Sequence, residues 1–173
     1  MDQTRELEQL FLAFSRERLR LLASRITDCL SRLSDEQIWQ RGSDVENSIA
    51  NLVLHLCGNV RQWIISGVGG KPDIRDRDAE FAHRREISTA ELRALLDETI
   101  SAALLAFDHV PPGTLTQRIA VQGKNPSVLE AMYTVLEHFG EHTGQIIYIT
   151  KQLTQTDLGY HAHLSKRAAA KRP

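Results

Sequence analysis

Among 173 residues, the side chains best able to do chemistry are seven histidines, two of which stand four apart in the run E-H-F-G-E-H-T-G-Q. On a helix, His138 and His142 point the same way, one turn from each other. Two imidazoles so placed can grip one divalent ion at about 2.0–2.1 Å each. A catalytic ion usually takes three protein ligands and keeps a position open, so a third is needed. The candidates are His55, His83, His109, His161 and His163. His55 is the one inside a helical stretch, N-L-V-L-H-L-C-G-N, where Leu52, Val53 and Leu56 turn its ring toward the core. His83 and His109 fall in predicted loops and His161 and His163 in the tail, where solvated side chains are the default. The patterns leave two readings open. A lone HxxxH is a weak motif, and a single helical histidine is more often a hydrogen-bonded core residue than a ligand.

The neighbours of these histidines add detail. Asn51, His55, Asn59 and Gln62 form a polar stripe at helical spacing, the pattern of a helix that lines a polar pocket. Gln145, three residues past His142, is placed to line the same pocket. Glu137 and Glu141 project to a neighbouring face and read as solvated charges. With Phe139 and Gly140 inside the pair, the HExxH arrangement of metalloproteases is missing. Gly140 and Gly144 each cost a helix interior about 1 kcal/mol relative to Ala, which suggests that something approaches closely there.

Four amphipathic stretches must position these groups. The first runs from about Thr4 to Leu33, with apolar residues at steps of three and four from Leu7 through Phe14, Leu22 and Ile26 to Leu33. Ser34 and Gln37 then form a capping pair. The second runs from about Ser48 to Ile65, capped by Asn47 or Ser48 and ended by the Gly67, Gly69, Gly70, Pro72 cluster. Capping boxes at Ser88-x-x-Glu91 and Ser127-x-x-Glu130 open the third, ending near Phe107, and the fourth, ending near Leu153. The polar run D-I-R-D-R-D-A-E-F-A-H-R-R-E-I reads as a surface loop. Thr116–Val121 alternates weakly, as a short extended piece would. The expectation is an all-α, four-helix bundle over residues 1–153, with connections longer than a minimal bundle needs. A polar, partly disordered tail over residues 154–173 ends in the basic K-R-A-A-A-K-R-P.

Composition narrows the function classes. A formal net charge of −1 gives no field that would favour nucleic acid or a membrane surface. No apolar run approaches the roughly 20 residues that cross a bilayer. The charged start, M-D-Q-T-R-E-L-E-Q-L, lacks the apolar stretch of a signal peptide. Cys29 and Cys57 sit in apolar helical patterns without ligand spacing, as buried free thiols of a reducing, cytoplasmic compartment would.

The segments S-I-A-N-L-V-L-H-L-C-G-N and L-E-H-F-G-E-H-T-G-Q-I, with the helix order and lengths, resemble the DinB-like superfamily of bacterial proteins, closest to a branch of uncharacterised domains. The resemblance implies an up-down-down-up four-helix bundle, commonly a homodimer. It implies one metal ion held by His55, His138 and His142. Relatives of known activity are transferases that use bacillithiol or mycothiol, and a mycothiol-dependent maleylpyruvate isomerase. The expectation is therefore a metal-dependent enzyme of the thiol S-transferase type acting on a small electrophile. Zinc or nickel would suit the site best, iron next, and a low-molecular-weight thiol would be co-substrate. A metal-dependent hydrolase and a non-enzymatic metal-binding or stress-response protein stay open as alternatives. No catalytic residue is assigned.

Overall fold

In the computed structural model, residues 3–85 and 87–164 are described. The elements are α1 (Gln3–Ser31), α2 (Ile49–Val60), α3 (Arg77–Ala82), α4 (Thr89–Asp108) and α5 (Val128–Thr154). Short 3-10 turns stand at Gln37–Trp39 and Ala162–Leu164. The capping signals form as their residue types require. Ser88 and Glu91, and Ser127 and Glu130, make reciprocal capping boxes. Ser34 and Gln37 make the same exchange at 3.0 and 3.2 Å. Ser48, rather than Asn47, caps α2 by accepting from the Asn51 amide.

The long helices α1, α2, α4 and α5 form the bundle. Both α1 and α2 pack on α4 and α5, so the order around the bundle is α1, α4, α2, α5. The apolar stripes meet in one core that includes Leu19, Ile26, Leu52, Leu56, Leu96, Phe107 and Phe139. Cys29 and Cys57 are buried there as free thiols. Burial pushes the Cys57 thiol up to about 12, so it stays protonated. Among the described residues, no helix is long and apolar enough to cross a membrane.

Two segments differ from the sequence expectation. Helix α2 does not stop at Ile65; it continues as a wider π-helical stretch over Arg61–Val68. Within the polar run after it, Arg77–Ala82 is helical rather than looped. Asp76 caps the short helix α3 by accepting from the Ala79 amide, and this helix lies on α2. The chain past α5 docks over its described part. Leu158 is buried, and the Tyr160 hydroxyl donates to Asp28 at 2.7 Å on α1. The basic run K-R-A-A-A-K-R-P lies outside the described residues.

Residues 116–128 close as a hairpin-like turn. Val121 and Lys124 exchange backbone hydrogen bonds at 3.1 and 2.8 Å across Gln122 and Gly123. Both central residues have positive φ, the requirement of the tight primed turn. This turn brings the Lys124 ammonium to 5.7 Å from the centre of the Trp63 ring, beside α2.

Candidate metal centre

Helices α2 and α5 pack together and bring their histidines to one point. The rings of His138 and His142 are 4.4 Å apart between centroids, and His55 lies 5.0 and 5.3 Å from them. One ligand nitrogen of each lies within 4.8 Å of the other two. The Nε2 atoms of His55 and His138 stand 2.9 Å apart. Two nitrogens bound at about 2.0–2.1 Å to one ion lie roughly 2.9–3.4 Å apart for bond angles between octahedral and tetrahedral. The chemistry of the donor set and the spacing of the His55–His138 pair therefore fit a divalent ion, with the His142 nitrogen within 4.8 Å of both. Among the described residues the group comprises three metal-ligating side chains.

The far sides of two rings are fixed. His55 Nδ1 lies 2.9 Å from Glu80 Oε2, and Arg75 binds that carboxylate through Nε at 2.7 Å and Nη2 at 2.9 Å. Burial pushes the Glu80 carboxyl up, but hydrogen bonds from Arg75 and His55 outweigh it and hold the group below its usual range. The carboxylate is thus ionised and accepts the Nδ1 proton of His55, leaving the Nε2 lone pair facing the cluster. This is the carboxylate–histidine arrangement that orients a metal ligand. His142 Nδ1 likewise donates to Gln145 Oε1 at 2.9 Å. Phe81 covers one side of His55 at 4.9 Å between ring centroids.

Sequence reasoning assigned the second-helix polar stripe to a pocket; the structure gives most of it another task. Asn51 Nδ2 donates to the carbonyls of Glu80 and His83 at 3.0 and 3.3 Å, which clamps α3 onto α2. Gln62 donates to Asp73 and accepts from Arg75. Asn59 does face a cavity, of about 300 Å³, shared with Trp63, Lys124, Thr134 and His138. Its Oδ1 is buried without a hydrogen-bond partner. This cavity opens one side of the histidine cluster. Glu141 is largely exposed, with its nearest oxygen 3.9 Å from His138 Nδ1.

The remaining histidines do not join the cluster where they are described. His83 ends α3, His109 donates from Nδ1 to the Leu105 carbonyl at 2.7 Å, and His161 is exposed. The side chain of His163 lies outside the described residues.

The glycines invert the expectation. A Cβ at Gly144 would meet nothing within 4 Å, and one at Gly140 only Leu22 at 4.0 Å. Gly58 is the position of close approach. A Cβ there would lie 1.8 Å from Glu80 Oε1 and 3.0 Å from Arg75 Nε. Glu80, Arg75 and Gly58 are the site residues that sequence reasoning missed. The available signal was Asp76 as a helix cap ahead of A-E-F-A; the burial of a charged pair has no periodic signature.

Burial, together with the neighbouring His142 and His55, pushes His138 down to about 4. Burial lowers His142 as well. Both rings of the HxxxH pair are therefore neutral near pH 7, as ligation requires. A stability dependence follows for metal-free protein. Between about pH 6.5 and 4, the unfolded chain holds a proton on residue 138 that the folded chain does not. The contribution is complete above pH 6.5 and lost as pH falls toward 4. Thermal melts of chelator-treated protein should show this loss, and it should be smaller in His138→Ala; equal pH profiles would refute the assignment of the effect to His138.

Residues 6–163 match the family described as "Protein of unknown function (DUF1572)". No curated protein matches the chain. Among solved structures it is similar to a DinB-like protein from Bacillus cereus, at 17% identity and a TM-score of 0.62 over 77% of this chain and 86% of that one. A DinB-like protein from Bacillus subtilis is similar at 13% identity and a TM-score of 0.66, over 85% and 96%. A mycothiol-dependent maleylpyruvate isomerase is similar at 14% identity and a TM-score of 0.61, over 82% and 66%. At these identities the likeness is one of fold: this is a DinB-like all-helical fold.

Proposed function

We propose that this chain, which belongs to the DUF1572 family, binds one divalent metal ion through His55, His138 and His142 and is a metal-dependent enzyme of the thiol S-transferase type. The observation that carries the reading is the convergence of three imidazoles, with the His55 and His138 Nε2 atoms 2.9 Å apart and Glu80 fixing His55 from behind. Zinc or nickel suits three imidazoles best, with iron(II) next. A bound ion would supply the positive charge that favours the anionic form of a thiol. His55 and His142 hold their ligating nitrogens toward the cluster, and Asn59 lines the cavity through which a small electrophile would arrive. The likeness to a mycothiol-dependent isomerase supports a small thiol as co-substrate. Free, buried Cys29 and Cys57 support a reducing, cytoplasmic setting.

The test is a panel of low-molecular-weight thiols with electrophilic substrates, assayed on zinc- and nickel-loaded protein. Metal-dependent loss of thiol with at least one pair is the expected result. Stoichiometric metal binding without turnover across the panel would leave a binding protein and defeat the enzyme reading.

A homodimer is the second part of the proposal. Leu7, Leu10 and Phe14 share one face of α1 and are 62%, 60% and 65% exposed. An exposed apolar patch of this kind commonly marks an interface. Light scattering at micromolar concentration should return the dimer mass, and Phe14→Glu should return the monomer; a monomeric parent protein would contradict the proposal.

A further inference from the structure

A second cavity, of about 420 Å³, lies between α2 with its π-helical extension, α4 and the segment over residues 72–83. Glu80, Arg75 and Gly58 form part of its wall, and none of the three clustered histidines does. It therefore stands behind the His55–Glu80 pair, away from the ligating nitrogens. Its volume is within the range of small-molecule sites.

The chamber is apolar inside and charged at its rim. Leu54, Ile65, Leu95 and Ala102 line it. Ile74, also lining it, is 85% exposed, an aliphatic side chain with no cover at the mouth. The charges do not balance. Arg75 and Glu80 neutralise each other through their two hydrogen bonds. Of the remaining charged groups, Asp73, Asp76 and Glu98 are carboxylates, and Arg61 is the one guanidinium, bound to Glu98 and Thr99. Asp73 accepts from Gln62 and from the Arg75 amide, and Asp76 from the Ala79 amide. Those partners are neutral and leave both charges in place. Three carboxylates against one cation give the rim a net negative charge, and an apolar chamber with such a rim selects an apolar cation.

We propose that this cavity is a binding site for a small molecule with an apolar body and one cationic head, an alkyl- or arylamine. The body packs against Leu54, Ile65 and Leu95, and the ammonium faces Asp73, Asp76 and Glu98. The site is defined without reference to any metal, so it stands or falls separately from the histidine assignment.

Calorimetric titration of the full-length protein near neutral pH tests it with benzylamine, benzyl alcohol and phenylacetate as probes. Benzylamine should bind roughly tenfold more tightly than benzyl alcohol, because each exposed carboxylate contributes less than one order of magnitude. Phenylacetate should bind most weakly. The double substitution Asp76→Asn with Glu98→Gln should bring benzylamine down to the level of benzyl alcohol. Ala102→Phe, which fills the chamber from α4, should remove binding of all three; should that variant fail to fold, Ala79→Leu enters the chamber from α3 and should do the same. Phenylacetate binding as tightly as benzylamine, or benzylamine binding unaffected in a folded chamber-filling variant, or no benzylamine binding at millimolar concentration, would each overturn the proposal.

Discussion

Replacing His138 with alanine should strip the protein of its metal. As purified, the parent protein should carry about one divalent ion per chain, the capacity of a single three-imidazole site. His138→Ala should carry close to none after dialysis against a weak chelator. The reason is the share each ring holds. Even an outer partner that only orients a ligand is worth roughly 10–100-fold in metal affinity, and the loss of a direct donor costs more. His55→Ala and His142→Ala should behave alike, since the three rings are within 4.4–5.3 Å of one another. Melting temperature supplies an independent readout. An ion that binds the folded chain alone stabilises it by mass action, so zinc should raise the melting point of the parent protein and leave that of His138→Ala unchanged. Full metal retention in His138→Ala would end the three-histidine assignment and, with it, the proposed chemistry.

The bundle and the three rings were legible in the sequence because both leave periodic traces. Apolar residues at steps of three and four mark α1, α2, α4 and α5, and the capping pairs at Ser34, Ser48, Ser88 and Ser127 set where elements begin. An HxxxH spacing on one helix and a histidine flanked by leucines on another are local facts that survive without coordinates. The support behind His55 was not legible. Arg75 and Glu80 lie in a run so rich in charge that solvation is the ordinary reading, yet their side chains are 3% and 9% exposed. A charged pair can be buried when each member satisfies the other, and here Gln62, His55 and the clamp from Asn51 complete the set. Glycine was misread for a related reason. Gly144 sits beside a ligand in sequence but faces open space, whereas Gly58, three residues past His55, gives the Glu80 carboxylate room. Propensity shows that a helical glycine is costly; only the packing shows which one is needed.

The support can be tested apart from the ligands, and the expected effects differ in kind. In Gly58→Ala, the new methyl group would overlap Glu80 Oε1 at 1.8 Å, where real contacts begin near 3.0 Å, so the carboxylate must move by more than 1 Å. That shift breaks the 2.9 Å bond to His55 Nδ1 and frees the ring to turn or change tautomer. Metal affinity should fall by about 10–100-fold, the usual cost of a lost outer partner, while all three ligands remain. Gly144→Ala, on the ligand-bearing helix but facing open space, should leave affinity unchanged. Arg75→Met acts on the other end of the chain. It leaves the Glu80 charge buried without its guanidinium, and removing one member of a buried pair costs about 3–5 kcal/mol. The melting point should therefore drop in Arg75→Met even with metal absent, which a pure ligand-orientation role would not produce. Chelator competition on the glycine variants and chelator-treated melts on Arg75→Met separate the two effects. If Gly58→Ala bound metal as tightly as the parent protein, Glu80 would have no part in holding His55 for the ion, and the buried pair would be a matter of folding alone.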